Sequence, residues 1–467
     1  MNFNRALFKS YDIRGSNADG LNEDLALWIG RVYGSILVRA GERTICVGRD
    51  GRLDGLQLAR AVSMGLVEAG LEVIDVGMLT TPMLFFAATE SSKNGIQVTG
   101  SHSPKSYNGF KFSLAGQRFF GQDIQKLCDA MEQGWWVPSA GGSLRRHDVL
   151  PTYTKRLTED IRLRAPMKVV LDSGNGVAGA SSPAMFRALG AEVVELFSEV
   201  DGNFPNHHPD PSQPENMKDL IAAMAAHQAD LGIAFDGDGD RIGVVAPSGE
   251  IIEVDRFIQI LLAGILRDRP GASVVYDVKC SQRLVAEIES CGGVPVMCRT
   301  GTPWISEKIA QTGAVIGLEL AGHVWLGDRW YGFDDPTYVG ARLLEALSLH
   351  KAAGLSSRNV FDQLQRTLST PELMVLCSEG EQHRVAFKLQ EMANEVTFPP
   401  PAKISLVDGV RVDWPDGFGL VRASNTAPML VLRFEGHNDA ALHRIEATMM
   451  ALLKTVKPDA QVQAAAH

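Results

Sequence analysis

Three stretches of the chain repeat one pattern: a short apolar run, a polar turn with an aspartate, a helix-period segment, a glycine, and a second apolar run. They extend from TICVGRDGR to EAGLEVIDVG, from KVVLDSGNG to ALGAEVVELF, and from SVVYDVKCS to SCGGVPVMCR. Asp50, Asp172 and Asp277 close the first run of each. Gly70, Gly190 and Gly292 follow the helical segments, where glycine suits a C-cap. In LQLARAVSMGLVEAG, Leu58, Val62, Leu66 and Ala69 share one helical face. Strands alternating with helices form βαβ crossovers, so the pattern predicts three similar α/β domains with mixed, mostly parallel sheets.

Near the C-terminus the pattern changes. PPPAKISLVDGVRVDWPDGFGLVRASNTAPMLVLRFEG opens on three prolines and then alternates through ISLV, VRVDW and MLVLRFE. That alternation predicts a C-terminal α+β domain with an antiparallel sheet backed by helices. A chain of 467 residues is too long for one core, and roughly 150 residues per domain gives about three or four. The expected domains are 1–148, 149–251, 252–368 and 369–467.

Composition narrows the function classes. Hydrophobic residues at 45% and charged residues at 21% are those of a globular chain. A net charge of −10 without a long basic run argues against a nucleic-acid partner, while a small anion can still be held locally. The six cysteines form no CxxC pair, as fits a reduced, cytoplasmic protein. MNFNRALFKSYD lacks the apolar run of a secretory signal, and Phe257 to Leu266 is too short to cross a bilayer, so no membrane role is expected.

Two segments carry candidate chemistry. In VTGSHSPKSYNGFK, Ser101 and His102 follow a predicted strand, at the carboxyl end where α/β proteins gather their active groups. In DLGIAFDGDGDR, Asp236, Asp238 and Asp240 alternate with glycine after an apolar strand. Two carboxylates about 4 Å apart repel by roughly 4 kcal/mol at an effective dielectric near 20, so three in one loop call for a cation. An EF-hand is excluded, because its glycine and glutamate positions are Arg241 and Pro247. Mg²⁺ is the expected metal, and its open positions suit phosphate oxygens. A hydroxyl such as Ser101, with Lys111 nearby in sequence, is suited to carry a phosphoryl group.

These segments resemble the α-D-phosphohexomutases. VTGSHSPKSYNGFK is similar to their phosphoserine loop, DGDGDR to their metal loop, and RASNTAP, Arg422 to Pro428, to their phosphate-binding loop. YDIRG, VGRDGR and DGNFPNHHPDP extend the resemblance over essentially the whole chain. RASNT in place of RPSGT brings it nearer to the bacterial phosphomannomutase/phosphoglucomutase branch than to phosphoglucosamine mutases.

The resemblance implies four domains around a central cleft and reversible transfer of a phosphoryl group between the 1- and 6-positions of mannose or glucose phosphates. It implies phosphorylation of Ser101, with Asp236, Asp238, Asp240 and a phosphoserine oxygen on Mg²⁺. Arg14, His102, Lys111 and His323 become the candidates for proton transfer and charge stabilisation. Tyr11, Arg241, Lys279, Thr302, Glu319, Ala321, Arg422, Ser424, Asn425 and Thr426 become candidates for substrate binding. Glucose 1,6-bisphosphate is implied as an activator and a monomer as the assembly. Alternatives from the residues are a phosphoglucosamine mutase and a non-catalytic sugar-phosphate sensor.

Three departures bear on the sugar. The family's GExSGH reads Leu318-Glu319-Leu320-Ala321-Gly322-His323, and its KTGHS reads RTGTP with Thr302 and Pro303 at the last two positions. In the phosphoserine loop Ser103 stands for asparagine. A lost neutral hydrogen bond costs on the order of 0.5 to 1.5 kcal/mol, enough to shift sugar preference without ending catalysis.

Overall fold

A computed structural model describes residues 3–425 and 427–464. The chain divides into two compact units, Met1–Leu261 with Ala321–Asp362, and Leu262–Leu320 with Gln363–His467.

The first unit holds two mixed sheets. One has the order Ile13–Ser16, Tyr107–Leu114, Gly95–Val98, Thr44–Arg49, Glu72–Met78, Ser143–Arg146, with Gln117–Arg118 added beside Tyr107–Leu114. Its centre is parallel, since Thr44–Arg49 pairs in parallel with both Glu72–Met78 and Gly95–Val98. The hairpin partner Tyr107–Leu114 then runs antiparallel to Gly95–Val98. The second sheet has the order Ile251–Ile252, Ile242–Val245, Leu231–Phe235, Lys168–Asp172, Glu192–Leu196. Its two βαβ pairings are parallel, and the edge from Leu231–Phe235 outward is antiparallel. These are two of the three predicted α/β repeats. In each, the aspartate ends or directly follows the first strand and the glycine follows the helix at positive φ, 91° at Gly70 and 89° at Gly190. Leu58, Val62, Leu66 and Ala69 are all buried, as the helical face requires.

The second unit holds the third repeat, with Val294–Cys298, Ser273–Asp277 and Ile316–Leu318 in parallel. It also holds an antiparallel sheet ordered Lys403–Ser405, Val410–Trp414, Gly417–Ala423, Met429–Gly436, Leu373–Leu376, Gln463–Ala464. Helices Glu381–Met392 and Asp439–Val456 cover it, burying Val385, Leu389, Ile445 and Met449 against Val412, Val421 and Leu432.

One strand escaped the alternation pattern. Gly417–Ala423 is buried along its whole length, so it shows no polar face. Its first glycine disguises it further. A Cβ at Gly417 would sit 2.1 Å from the Glu435 carbonyl oxygen and 2.7 Å from Ile445 Cδ1, so close packing excludes a side chain there. No helix among the described residues is long and apolar enough to cross a membrane.

Candidate active site

In the first unit the strand Gly95–Val98 delivers its C-terminal end to Ser101, which is 3% exposed and held at φ 48°. A non-glycine residue in that region needs outside support. Arg52 supplies it. From a position 2% exposed, its Nη2 donates to the carbonyls of Ser101 at 2.7 Å and Ser103 at 2.6 Å, and its Nη1 to those of Pro104 at 2.7 Å and Tyr107 at 2.6 Å. Asp50 backs the guanidinium at 3.3 Å and accepts from Thr99 Oγ1 and the Gly100 amide. A Cβ on Gly100 would meet the Arg52 guanidinium at 2.3 Å, which explains glycine before the serine.

The second sheet brings its acidic loop to the same place. Ser101 Oγ donates to Asp236 Oδ2 at 2.9 Å, and the other Asp236 oxygen accepts from the amides of Asp240 and Arg241. Gly237 permits this approach, because a Cβ there would lie 2.5 Å from the Ser101 carbonyl oxygen. Asp238 Oδ2 accepts from Thr81 Oγ1 and Lys111 Nζ, and Asp240 Oδ2 from the same Lys111 Nζ at 2.5 Å.

Oδ1 of Asp238 and Oδ1 of Asp240 are buried, with no hydrogen-bond partner among the described residues. Burial, followed by the charges of Asp240 and Asp238, pushes the Asp236 carboxyl well above its ordinary value. Burial also opposes ionisation of Asp238, but Lys111 outweighs it and the net shift is downward. Three carboxylates facing one ammonium, with orphaned oxygens, fit a hard divalent cation.

Basic groups surround this cluster. Burial would lower the Lys111 ammonium, but Asp238 and Asp240 hold it above the ordinary lysine value. Arg14 donates to the Gly100 carbonyl at 2.8 Å, to Ser103 Oγ at 2.9 Å and to Asp12 at 2.5 Å. Ser103, the replacement for asparagine, is thereby an acceptor for Arg14. His102 Nδ1 lies 3.1 Å from Ser101 Oγ. Burial, then the charges of Arg241, Arg14 and Lys111, push that imidazole well below its ordinary value. Arg241 Nε donates to His323 Nε2 at 3.1 Å, and His323 Nδ1 meets Asp334 Oδ2 at 3.0 Å. Tyr11 is half-buried on the same unit, just before Arg14.

All four segments match one family along the chain, as phosphoglucomutase/phosphomannomutase α/β/α domain I over residues 5–135, domain II over 151–249, domain III over 254–366 and the C-terminal domain over 373–452. The chain belongs to the phosphoglucomutase/phosphomannomutase family. It is 46% identical over 452 residues to a phosphomannomutase/phosphoglucomutase of Pseudomonas aeruginosa, covering 97% of this chain and 96% of the relative. It is 44% identical to a phosphoglucomutase of Neisseria gonorrhoeae, with 97% of each covered. A crystal structure of a phosphoglucomutase/phosphomannomutase family protein from Burkholderia thailandensis superposes with a TM-score of 0.93 at 43% identity, over 99% of this chain and 100% of that one.

The remaining candidates of this family member lie mostly on the second unit. Lys279 Nζ pairs with Glu372 at 3.1 Å, and although burial lowers it, Glu372, Asp277 and Glu319 raise it further. Arg422 is buried and donates to Asp408 Oδ2 at 2.8 Å; the Thr300 amide donates to the same oxygen. Ser424 is buried, its amide bonded to the Met429 carbonyl, and Asn425 is half-buried. Thr302 begins the helix Thr302–Thr312 and Glu319 is buried; Thr426 lies outside the described residues. Ala321 is half-buried on the first unit, where the next carbonyl, of Gly322, accepts from the Ile242 amide. Leu318 is wholly buried in a strand, so that departure fills core space.

Several residues that build the site were not named as site residues from the sequence. Arg52 and Asp50 lie in VGRDGR, Asp334 follows the sugar loop, and His208 Nε2 donates to the His102 carbonyl from NHHP. The available signal for Arg52, Asp50 and His208 was that VGRDGR and DGNFPNHHPDP already stood among the segments that resemble the family.

Proposed function

We infer that this chain is a phosphohexomutase, moving a phosphoryl group between the 1- and 6-hydroxyls of mannose or glucose phosphates. The observation that carries the reading is the meeting of Ser101 Oγ with Asp236 at 2.9 Å, beside two buried carboxylate oxygens that have no hydrogen-bond partner among the described residues. In the first half-reaction the bond between phosphorus and Ser101 Oγ breaks as a bond to the free sugar hydroxyl forms. The hydroxyl proton passes to a nearby base, for which His323 is the candidate, while Lys111, held as an ammonium by Asp238 and Asp240, stabilises charge. The hexose bisphosphate then turns around, and its other phosphoryl group returns to Ser101.

Arg14 cannot readily give up a proton, so its part is electrostatic, beside the Ser101 loop. Asp236, Asp238, Asp240 and a phosphoserine oxygen would hold Mg²⁺, which when bound supplies positive charge to the phosphoryl oxygens. On the second unit Arg422, Ser424, Asn425 and Thr426 are assigned to the phosphate that is not transferring, where an arginine fork suits phosphate oxygens. Lys279, Arg241 and Tyr11 add to phosphate and sugar binding, with Glu319, Thr302, Ala321 and His323 toward the sugar hydroxyls. Glucose 1,6-bisphosphate would act as activator by rephosphorylating Ser101. In the same reading the domains meet near residues 148, 251 and 368, and the enzyme is a cytoplasmic monomer.

Intact-mass spectrometry should find a phosphate on part of the purified protein, absent from Ser101→Ala. That variant should stay folded and lose nearly all turnover in a coupled assay with glucose 1-phosphate. A fully active alanine variant would sink the covalent route, and turnover confined to glucosamine phosphates would assign the chain to the phosphoglucosamine branch.

A further inference from the structure

His323 is bracketed by two groups that leave its protons no choice. An arginine Nε–H can only donate, so the His323 Nε2 that lies 3.1 Å from Arg241 Nε must present a lone pair. A carboxylate can only accept, so the Nδ1 that lies 3.0 Å from Asp334 Oδ2 must carry the hydrogen. Asp334 is completely buried, and its other oxygen is taken by Arg118 Nη2 at 2.6 Å. Arg118 itself packs over the Phe85 ring at 3.9 Å, which fixes the guanidinium in turn. Asp240 Oδ1 is 3.7 Å from the same Nδ1, beyond hydrogen-bond reach, so Asp334 is the partner that orients the ring.

We propose that Asp334, held by Arg118, is a positioning residue that fixes His323 as the Nδ1–H tautomer, so that its Nε2 lone pair enters the reaction as a proton acceptor. A proton on Nε2 would face the Arg241 N–H, donor against donor. Arg241 must therefore leave Nε2 before His323 takes a proton, and a substrate hydroxyl arriving in its place finds an acceptor already aimed. His323 begins the cycle as a base, and returns that proton only after Arg241 has moved. This rests on the reading of His323 as a proton-handling group of the mutase.

The test uses the full chain supplied with Mg²⁺ and with ¹⁵N-labelled histidine, the His323 signals being identified by their loss in His323→Gln. Long-range ¹H–¹⁵N correlation should show Nδ1 as the protonated nitrogen and Nε2 as the bare one. In Asp334→Asn, Arg118 keeps the amide oxygen and so turns the NH2 toward Nδ1; the hydrogen should then move to Nε2, and Arg241 should give up its contact there. kcat should then fall by about 100-fold or more, the scale of lost acid–base catalysis, with KM within about threefold. Asp334→Glu should restore the wild-type pattern and part of kcat. A wild-type spectrum with hydrogen on Nε2 would overturn the proposal, and so would a reversed tautomer in Asp334→Asn with unchanged kcat. Should Asp334→Asn fail to fold, the wild-type spectrum still decides. An inactive enzyme with the expected tautomer would refute the mutase reading alone, whereas an active one with hydrogen on Nε2 would refute this proposal alone.

Discussion

Arg52 Nη2 lies 2.7 Å from the Ser101 carbonyl oxygen, and the same buried guanidinium binds the carbonyls of Ser103, Pro104 and Tyr107. A lysine ammonium has three donors on a single point and cannot reproduce this fork. Arg52→Lys should therefore lower kcat while retaining part of the stability. Arg52→Met also strands the Asp50 carboxylate, which is itself buried. Breaking a buried pair from one side costs about 3–5 kcal/mol, so urea unfolding of Arg52→Met should show a loss of that order. Wild-type stability in the methionine variant would mean that the loop keeps its shape without the arginine.

Gly237 marks where the aspartate loop touches the serine loop. Adding a methyl there places a carbon 2.5 Å from the Ser101 carbonyl oxygen, and backbone must shift to relieve it. Gly237→Ala is expected to reduce Mg²⁺ affinity in calorimetry and to lower phosphate occupancy at Ser101 in mass spectra. Gly190→Ala serves as the control. It sits at φ 89° with open space around its would-be Cβ, so it should cost about 1–2 kcal/mol in stability and leave metal binding alone. Equal metal affinity in the two variants would refute the contact argument.

The residues that the structure brings together from the two loops, Ser101 with Asp236, Asp238 and Asp240, were legible because serine after a strand and aspartates at alternate positions are local patterns, each complete within a few residues. The three βαβ repeats were legible for the same reason, through Asp50, Asp172 and Asp277 at strand ends. What escaped depends on distant partners. Arg52 is 49 residues from Ser101 and Arg118 is 216 residues from Asp334, so no window of sequence shows either pairing. The strand Gly417–Ala423 escaped because full burial removes alternation and glycine lowers apparent strand character.

His207 offers a pH-dependent test of the NHHP loop. Its Nε2 lies 3.0 Å from Asp172 Oδ2. Burial works against the imidazolium, but Asp172 outweighs it and holds the folded-state pKa above its ordinary value. A raised pKa gives stability that is fully present below the unfolded value, about 6.5, and is lost as pH rises through the folded one. The Tm difference between wild type and His207→Gln should thus be larger at about pH 6 than at about pH 9. A difference that stays constant or grows with pH would show that the imidazolium pair contributes nothing.

The two departures in the sugar loop should separate cleanly in experiment. Leu318 is wholly buried in the strand Ile316–Leu318, whereas Ala321 is half-buried beside Gly322, whose carbonyl is held by Ile242. Leu318→Ala therefore opens a cavity and should cost about 2–5 kcal/mol, with KM unchanged. Ala321→Ser instead adds a hydroxyl where the family carries one. If a serine contact there binds ground state and transition state alike, adding it lowers KM and leaves kcat alone. The gain should be roughly 3- to 10-fold, the scale of one neutral hydrogen bond. The opposite result has a definite meaning. A higher KM for both glucose 1-phosphate and mannose 1-phosphate in Ala321→Ser would show that the pocket has been reshaped around alanine, so that the new hydroxyl is desolvated without a partner. Urea unfolding and steady-state kinetics of both variants on the two sugars distinguish these cases, because only Leu318→Ala should move stability and only Ala321→Ser should move KM.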